Sequence, residues 1–373
     1  MAPTRESASA TLIVVLGMHR SGTSVLARSM VALGADLGSH LQPPMAGVND
    51  KGFFEDMDIN AINMALMSAA GVAWDSLVDA DLDRIPAAQR RALEEQAFEI
   101  LNAKLGGKSF AFKDPRTSRL LSFWQPIFRR TGARVVYVIA VRHPLSVSAS
   151  LAGHAGHIHP DATDHLLWLA HTLQPLTATA PAERIVVDYD RMLASPAREI
   201  ARIAARLRLP MHTSETQVFA DDFLDPALRT AHAPAGALEQ QADVPAAVKA
   251  LFMALQQAAQ VDDESQATGL PGAIAAASQL WRDITPLLLR EHDLRARTNA
   301  LDGHVAGLQG HHNALASHIS ALEEQAATLT RELDAAHQHY RHLAQTLESF
   351  QRSLSWRVTA PLRLALDLVR GQR

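Results

Sequence analysis

The sequence contains no cysteine among its 373 residues. That excludes disulfides, thiolate metal centres and a cysteine nucleophile together. Charge of one sign is also missing, since 35 Lys and Arg face 39 Asp and Glu for a formal net charge of −4. A general affinity for nucleic acid is therefore not expected. Aromatic residues make up only 5%, and no apolar run approaches the roughly 20 residues that span a bilayer. The first ten residues, MAPTRESASA, are polar and lack the charged-then-apolar order of a signal peptide, which gives a cytoplasmic location as the expectation. Hydrophobic residues at 47% are enough for one large α/β domain with an appendage.

What is present concentrates first in Thr11 to Ser24, TLIVVLGMHRSGTS. Leu12 to Leu16 read as a strand buried on both faces, as in a parallel sheet. Gly17 to Ser24 then form a glycine loop that opens into a helical run from Val25 to Leu33. Strand, loop and helix N-terminus make a cradle in which backbone N–H groups of Gly17, Ser21, Gly22, Thr23 and Ser24 can point at a phosphate. The spacing approaches the nucleotide-triphosphatase loop GxxxxGK[ST], but Thr23 stands at the lysine position and the cation is Arg20. A turn of this kind also closes ordinary strand–helix connections. GMHRSGTS resembles the 5′-phosphosulfate loop of sulfotransferases that use 3′-phosphoadenosine 5′-phosphosulfate (PAPS). That resemblance implies a P-loop-like central parallel sheet flanked by helices, PAPS as co-substrate and no metal.

Further along, Lys51-Gly52-Phe53-Phe54-Glu55-Asp56 precedes a helical run from Ile59 to Met67. Acidic residues at a helix start complement its dipole, a sufficient account of Asp56 and Asp58. KGFFED, however, is similar to the segment that carries the catalytic glutamate in heparan N-sulfotransferases, which implies Glu55 as base with Asp56 as the substitute. An amphipathic helix over 81–105 carries no chemistry of its own and would cover the sheet or shape an acceptor pocket. The strand ending at Lys113 would put this lysine at the carboxyl edge, where open α/β sheets bind ligands. Cytosolic sulfotransferases read Lys-Thr-His at the comparable place. Here Pro115 replaces the histidine, and the Lys113-Asp114-Pro115 run resembles protein-tyrosine sulfotransferases, which use a glutamate. Arg116 and Arg119 read equally as a grip on an anionic acceptor or as exposed ion-pair partners.

Arg134 to Val141 is a further β run, ending at Arg142-His143-Pro144, with Pro144 suited to a first helical turn. Arg142 and Ser150, eight positions apart, resemble the 3′-phosphate site of PAPS enzymes. Tyr189, after the strand 185–190, resembles the tyrosine near adenine, with a helix starting at Ser195-Pro196. His154, His157 and His159 lie close together, but no carboxylate set completes a metal site. The glycine-rich basic loop that closes over the nucleotide in cytosolic members has no counterpart near Phe219 to His232.

The similarity covers about residues 10–235. The expected organisation is a disordered 1–10, a catalytic domain over 11–235, a helical linker over 236–290, a coiled coil over 291–354 and a basic amphipathic tail over 355–373. Leu301, Leu308, Leu315, Leu322, Leu329, Leu343 and Phe350 hold one heptad register, and Val305, Ile319, Leu333, Tyr340, Leu347 and Leu354 the other. This pattern implies a homo-oligomer, most simply a dimer. Gly303, Gly307 and Gly310 weaken its start. The end, SLSWRVTAPLR, resembles a C-terminal signature of bacterial surface-polysaccharide glycosyltransferases. It suggests a glycan acceptor, with peptide, lipid and small-molecule acceptors left open, and contact with a polysaccharide-assembly complex, while Trp356 with its neighbouring arginines suits peripheral contact with the inner membrane or a dock on another protein. The competing readings are an ATP-dependent phosphotransferase of the P-loop class and a non-catalytic scaffold carrying a degenerate enzyme domain.

Overall fold

The computed structural model describes residues 10–45, 49, 51–153, 161–225, 231–234 and 236–371. The expectations for residues 1–9 and for His154, His157 and His159 lie outside the described residues. Contacts divide the chain into two units, Met1–Asp293 and Leu294–Arg373.

In chain order the first unit begins with β1 (Thr11–Leu16), α1 (Thr23–Ser29), α2 (Met57–Ala69), α3 (Ala87–Leu105), β2 (Phe110–Lys113) and α4 (Leu121–Arg130). It continues with β3 (Arg134–Val141), α5 (Pro144–Ala152), α6 (Asp161–Ala178), β4 (Arg184–Asp188), α7 (Tyr189–Ala194), α8 (Pro196–Leu207) and α9 (Thr213–Gln217). Then come α10 (Ala237–Gln240), α11 (Ala246–Ala258) and the start of α12 (Leu270–Arg352). The expected helix over 81–105 is a short 3-10 turn followed by α3, because Pro86 interrupts the run.

The four strands form one sheet in the order β2-β1-β3-β4, and every pair is parallel. All six residues of β1 are buried, as a strand covered on both faces requires. Its side chains alternate between two cores. Leu12, Val14 and Leu16 face a cluster with Ile59, Leu101, Phe112, Trp124 and Phe128, whereas Ile13 and Val15 face Leu26, Leu33, Ile200, Ile203 and Leu207. Helices therefore cover both faces and leave the carboxyl ends of the strands as the open side. Gly17, Lys113, Arg142 and Tyr189 stand at or one residue beyond those four ends.

The second unit contains the rest of α12, then α13 (Leu354–Val358) and α14 (Ala360–Arg370). Helix α12 runs unbroken across the expected boundary between linker and coiled coil at 290/291, and through Gly303, Gly307 and Gly310. The cost of each glycine, about 1 kcal/mol, is small beside 83 residues of propagating helix. Among the described residues no helix is long and apolar enough to cross a membrane.

Candidate active site

The loop after β1 is fixed by backbone geometry. Gly17 has φ +138°, and a Cβ there would lie 2.7 Å from the Ala140 carbonyl oxygen, so β3 approaches too closely for any side chain. Gly22 has φ +81°, and its missing Cβ would lie 2.0 Å from the Tyr189 ring. Arg20, not a glycine, is also left-handed at φ +66°. Two contacts hold it there: Arg142 donates to the Arg20 carbonyl at 2.8 Å, and Arg20 Nε donates to Ser150 Oγ at 2.9 Å. Strain of this kind costs about 1–3 kcal/mol and persists only where the surroundings over-determine it. No side chain caps the first turn of α1, so its leading N–H groups stay available to a ligand.

Arg142 and Ser150, paired in the sequence by spacing, therefore meet through Arg20. The Arg142 guanidinium also donates to the Ala231 carbonyl and lies 4.7 Å from the centre of the Tyr189 ring. Tyr189 in turn packs on Gly22, so it buttresses the loop as well as facing the cavity. Ser24 Oγ donates to the Phe53 carbonyl and accepts from Asn49 Nδ2. Burial and the nearby Arg142 cation lower the Arg20 pKa, which marks a place where positive charge is crowded and an anion would be welcome.

The second half of the site is a polar network on the opposite side of the cavity. Glu55 follows Phe54, which has φ +53°. An antiparallel bridge between Leu41 and Asp56 and a bond from Gln42 N to the Glu55 carbonyl hold this segment. The Glu55 carboxylate accepts from Lys113 Nζ at 2.7 Å, Asn60 Nδ2 at 3.1 Å and Arg116 at 3.4 Å. Arg116 also bonds Asp114 Oδ1, and Asp114 Oδ2 accepts from Asn63, whose amide oxygen accepts from the Trp124 indole. Burial raises the Asp114 pKa, with Arg116 opposing and Glu55 reinforcing that shift. Such a connected network holds its members to one geometry.

Asp56 does a different job. One of its oxygens caps α2 by accepting from the Asp58 and Ile59 amides, and the other lies 2.7 Å from Lys104. Glu55 lines the cavity and Asp56 does not. Arg119 is buried rather than exposed, and donates to the Ser76 and Val78 carbonyls and to Asp79. Arg116 is held by Asp114 and Glu55. Both arginines are thus internal partners, and neither offers the free grip on an acceptor that the sequence allowed.

The halves enclose a cavity of about 290 Å³ lined by Arg20, Gly22, Thr23, Ser24, Glu55, Lys113, Arg142 and Tyr189, together with His19, Lys51 and Phe223. Gly17, Ser21 and Ser150 stand behind this wall. His19 was not singled out by sequence reasoning, although it lies inside the loop motif. Its ring packs 4.6 Å from Trp74 and 5.9 Å from His171. Burial, and then the cations Arg116, Lys113 and Arg20, hold its pKa well below the usual histidine value. It is therefore a neutral imidazole among cations. Asn60 was also missed, and it falls on α2 one turn beyond Glu55.

A profile of the Sulfotransferase family matches residues 13–213, more than half of the chain. The chain belongs to the sulfotransferase family. No curated protein matches it at a significant level. Among solved structures, this sulfotransferase is similar to the sulfotransferase domain from the Synechococcus PCC 7002 olefin synthase, at 18% identity and a TM-score of 0.35 over 58% of this chain and 82% of that one. The family profile spans the loop, Glu55, Lys113, Arg142 and Tyr189, and stops before α10.

Proposed function

We propose that the chain transfers the sulfuryl group of PAPS to an acceptor hydroxyl or amine on a glycan. One observation carries the reading: Arg20 from the loop after β1, Lys113 from the end of β2 and Arg142 from the end of β3 converge on a single cavity in which Glu55 is held 2.7 Å from Lys113. The residues fit a donor with phosphates at both ends, because an uncapped helix start and crowded cations await anions.

The acceptor group gives its proton to a Glu55 carboxylate oxygen as the acceptor atom bonds to sulfur in line. The bond from sulfur to the bridging oxygen breaks, and adenosine 3′,5′-bisphosphate leaves with the electron pair. Arg20 and Lys113 stabilise charge on the sulfuryl and bridging oxygens. Gly22, Thr23 and Ser24 serve the 5′-phosphate, while Gly17 and Ser21, whose amides donate to Ser118 Oγ and the Met18 carbonyl, brace the loop behind them; Arg142 with Ser150 serves the 3′-phosphate, and Tyr189 the nucleotide. The step balances without a metal. Support for a glycan is the C-terminal SLSWRVTAPLR. For the second unit, self-association through the heptad seam is proposed, since Leu301, Leu308, Leu315 and Leu322 are all exposed in the single chain.

Calorimetric titration tests the donor class. Metal-independent binding of adenosine 3′,5′-bisphosphate is expected, followed by labelled-sulfate transfer to glycan acceptors. Binding of ATP with Mg²⁺ alone would replace the reading with a phosphotransferase, and binding of neither with a scaffold.

A further inference from the structure

Within the second unit, the C-terminal helices carry an apolar surface that no described residue of that unit covers. Helix α12 ends at Arg352, and Ser353 turns the chain with an extended backbone while its hydroxyl accepts from the Trp356 amide. Beyond the heptad seam, Val358, Leu362, Leu364, Leu366 and Leu368 are each more than half exposed, from 54% at Leu366 to 73% at Val358. Polar residues occupy only one narrow stripe of α14, made by Arg363, Asp367 and Arg370 at spacings of four and three. Every other position of that helix is apolar.

The charge on this surface identifies its cover. Arg357, Arg363 and Arg370 face a single acid, Asp367. The Arg363 guanidinium is stacked 3.5 Å from the centre of the Trp356 ring and donates to the Trp356 carbonyl, so cation and aromatic form one rigid plate. A second copy of the same helices would bring like charges together. An array of phosphate headgroups over acyl chains accommodates both features, because guanidinium forks pair with phosphate and the indole suits the boundary. Helix α14 has 11 residues, about 16 Å of rise, against a hydrocarbon core of about 30 Å. It is long enough to lie in the interface and too short to span.

The geometry points to an anionic phospholipid surface as the occupant: α13 and α14 lie in the headgroup region with Leu362, Leu366 and their neighbours in the acyl boundary and the three arginines on phosphates. The attachment involves no covalent step and is independent of the sulfuryl-transfer reading.

The test is co-sedimentation of the full chain with vesicles of phosphatidylcholine alone and of an equimolar mixture with phosphatidylglycerol. Partition into the mixed vesicles is expected to be at least about tenfold stronger and to weaken as salt rises. Leu362→Asp/Leu366→Asp abolishes it. Arg357→Gln/Arg363→Gln lowers it by about fivefold per arginine. A blue shift of the emission on mixing with vesicles, lost in Trp356→Phe, reports burial of the plate. Circular dichroism of each variant confirms that the helices remain. Equal partition into both vesicles, no partition by the wild-type chain, or partition retained by the double aspartate variant each overturns the proposal. So does a native mass that Leu362→Asp/Leu366→Asp reduces, which would make the cover a second copy of this chain.

Discussion

Consider the pair at the centre of the site, Lys113 and Glu55. Its atoms are 2.7 Å apart, with side chains only 2% and 7% exposed. At an effective dielectric constant of 20 the attraction is about 6 kcal/mol, most of which repays the removal of both charges from water. Removing one partner keeps the desolvation cost and forfeits the attraction, at about 3–5 kcal/mol. Lys113→Met leaves Glu55 two other donors, Asn60 and Arg116, so its cost should fall near the lower limit, about 3 kcal/mol. Glu55→Gln strands a buried ammonium and should cost about as much. The double variant Lys113→Met/Glu55→Gln leaves no stranded charge from the pair, and a coupling energy of at least about 2 kcal/mol is expected. Urea unfolding followed by tryptophan emission measures each corner of the cycle. Effects that add within about 0.5 kcal/mol would refute the buried pair. Turnover gives the second readout: as base, Glu55 should supply about 10²–10⁴ in kcat. A Glu55→Gln enzyme that is folded and within about threefold of wild type would remove Glu55 from that role.

Other consequences follow from the same geometry. Gly22→Ala forces an alanine to φ +81° and its Cβ into the Tyr189 ring. A loss of about 2–4 kcal/mol is expected, partly restored by adding Tyr189→Ala, as thermal unfolding would report. Arg142→Ala removes the bond to the Arg20 carbonyl and the cation over Tyr189. Calorimetry should show adenosine 3′,5′-bisphosphate affinity lowered by about a hundredfold. His19 and His171 both have pKa values held well below the usual one, chiefly by burial. The unfolded chain therefore binds more protons below about pH 6.5, and stability is present above that value and lost as pH falls, by up to about 1.4 kcal/mol per pH unit for each histidine. Asp114 and Asp188, whose pKa values burial raises, act in the opposite sense at lower pH. Denaturant unfolding across this range checks the slope, which His19→Asn/His171→Asn should flatten. Leu315→Asp/Leu322→Asp should reduce the mass seen in sedimentation equilibrium from dimer to monomer.

The sequence by itself determined the sheet and its carboxyl edge. Runs such as Leu12–Leu16 and Arg134–Val141 can be buried on two faces only in a parallel α/β sheet, and the residue that follows each run must stand on the open side. Gly17, Lys113 and Arg142 were legible for that reason, and Arg20 as the cation of the loop that follows β1. The heptad part of the long helix was legible too, because heptads are a local pattern, although its fusion with the helix before residue 291 was not: nothing local marks where two helical runs join.

Only the tertiary structure decided which side chains meet. Neighbouring acids Glu55 and Asp56 were told apart in the sequence by a resemblance that kept Asp56 as substitute, whereas in the fold one faces the cavity and the other caps α2 against Lys104. Arg142 and Ser150 appear as a pair eight residues apart, yet both are joined to Arg20, more than a hundred positions away. Arg116 and Arg119 turn inward because Asp114 and the carbonyls of Ser76 and Val78 need donors. The physical reason is the same in each case. Hydrophobic period fixes which face of an element is buried, whereas the partner of a buried charge depends on distances across the fold that no local pattern encodes.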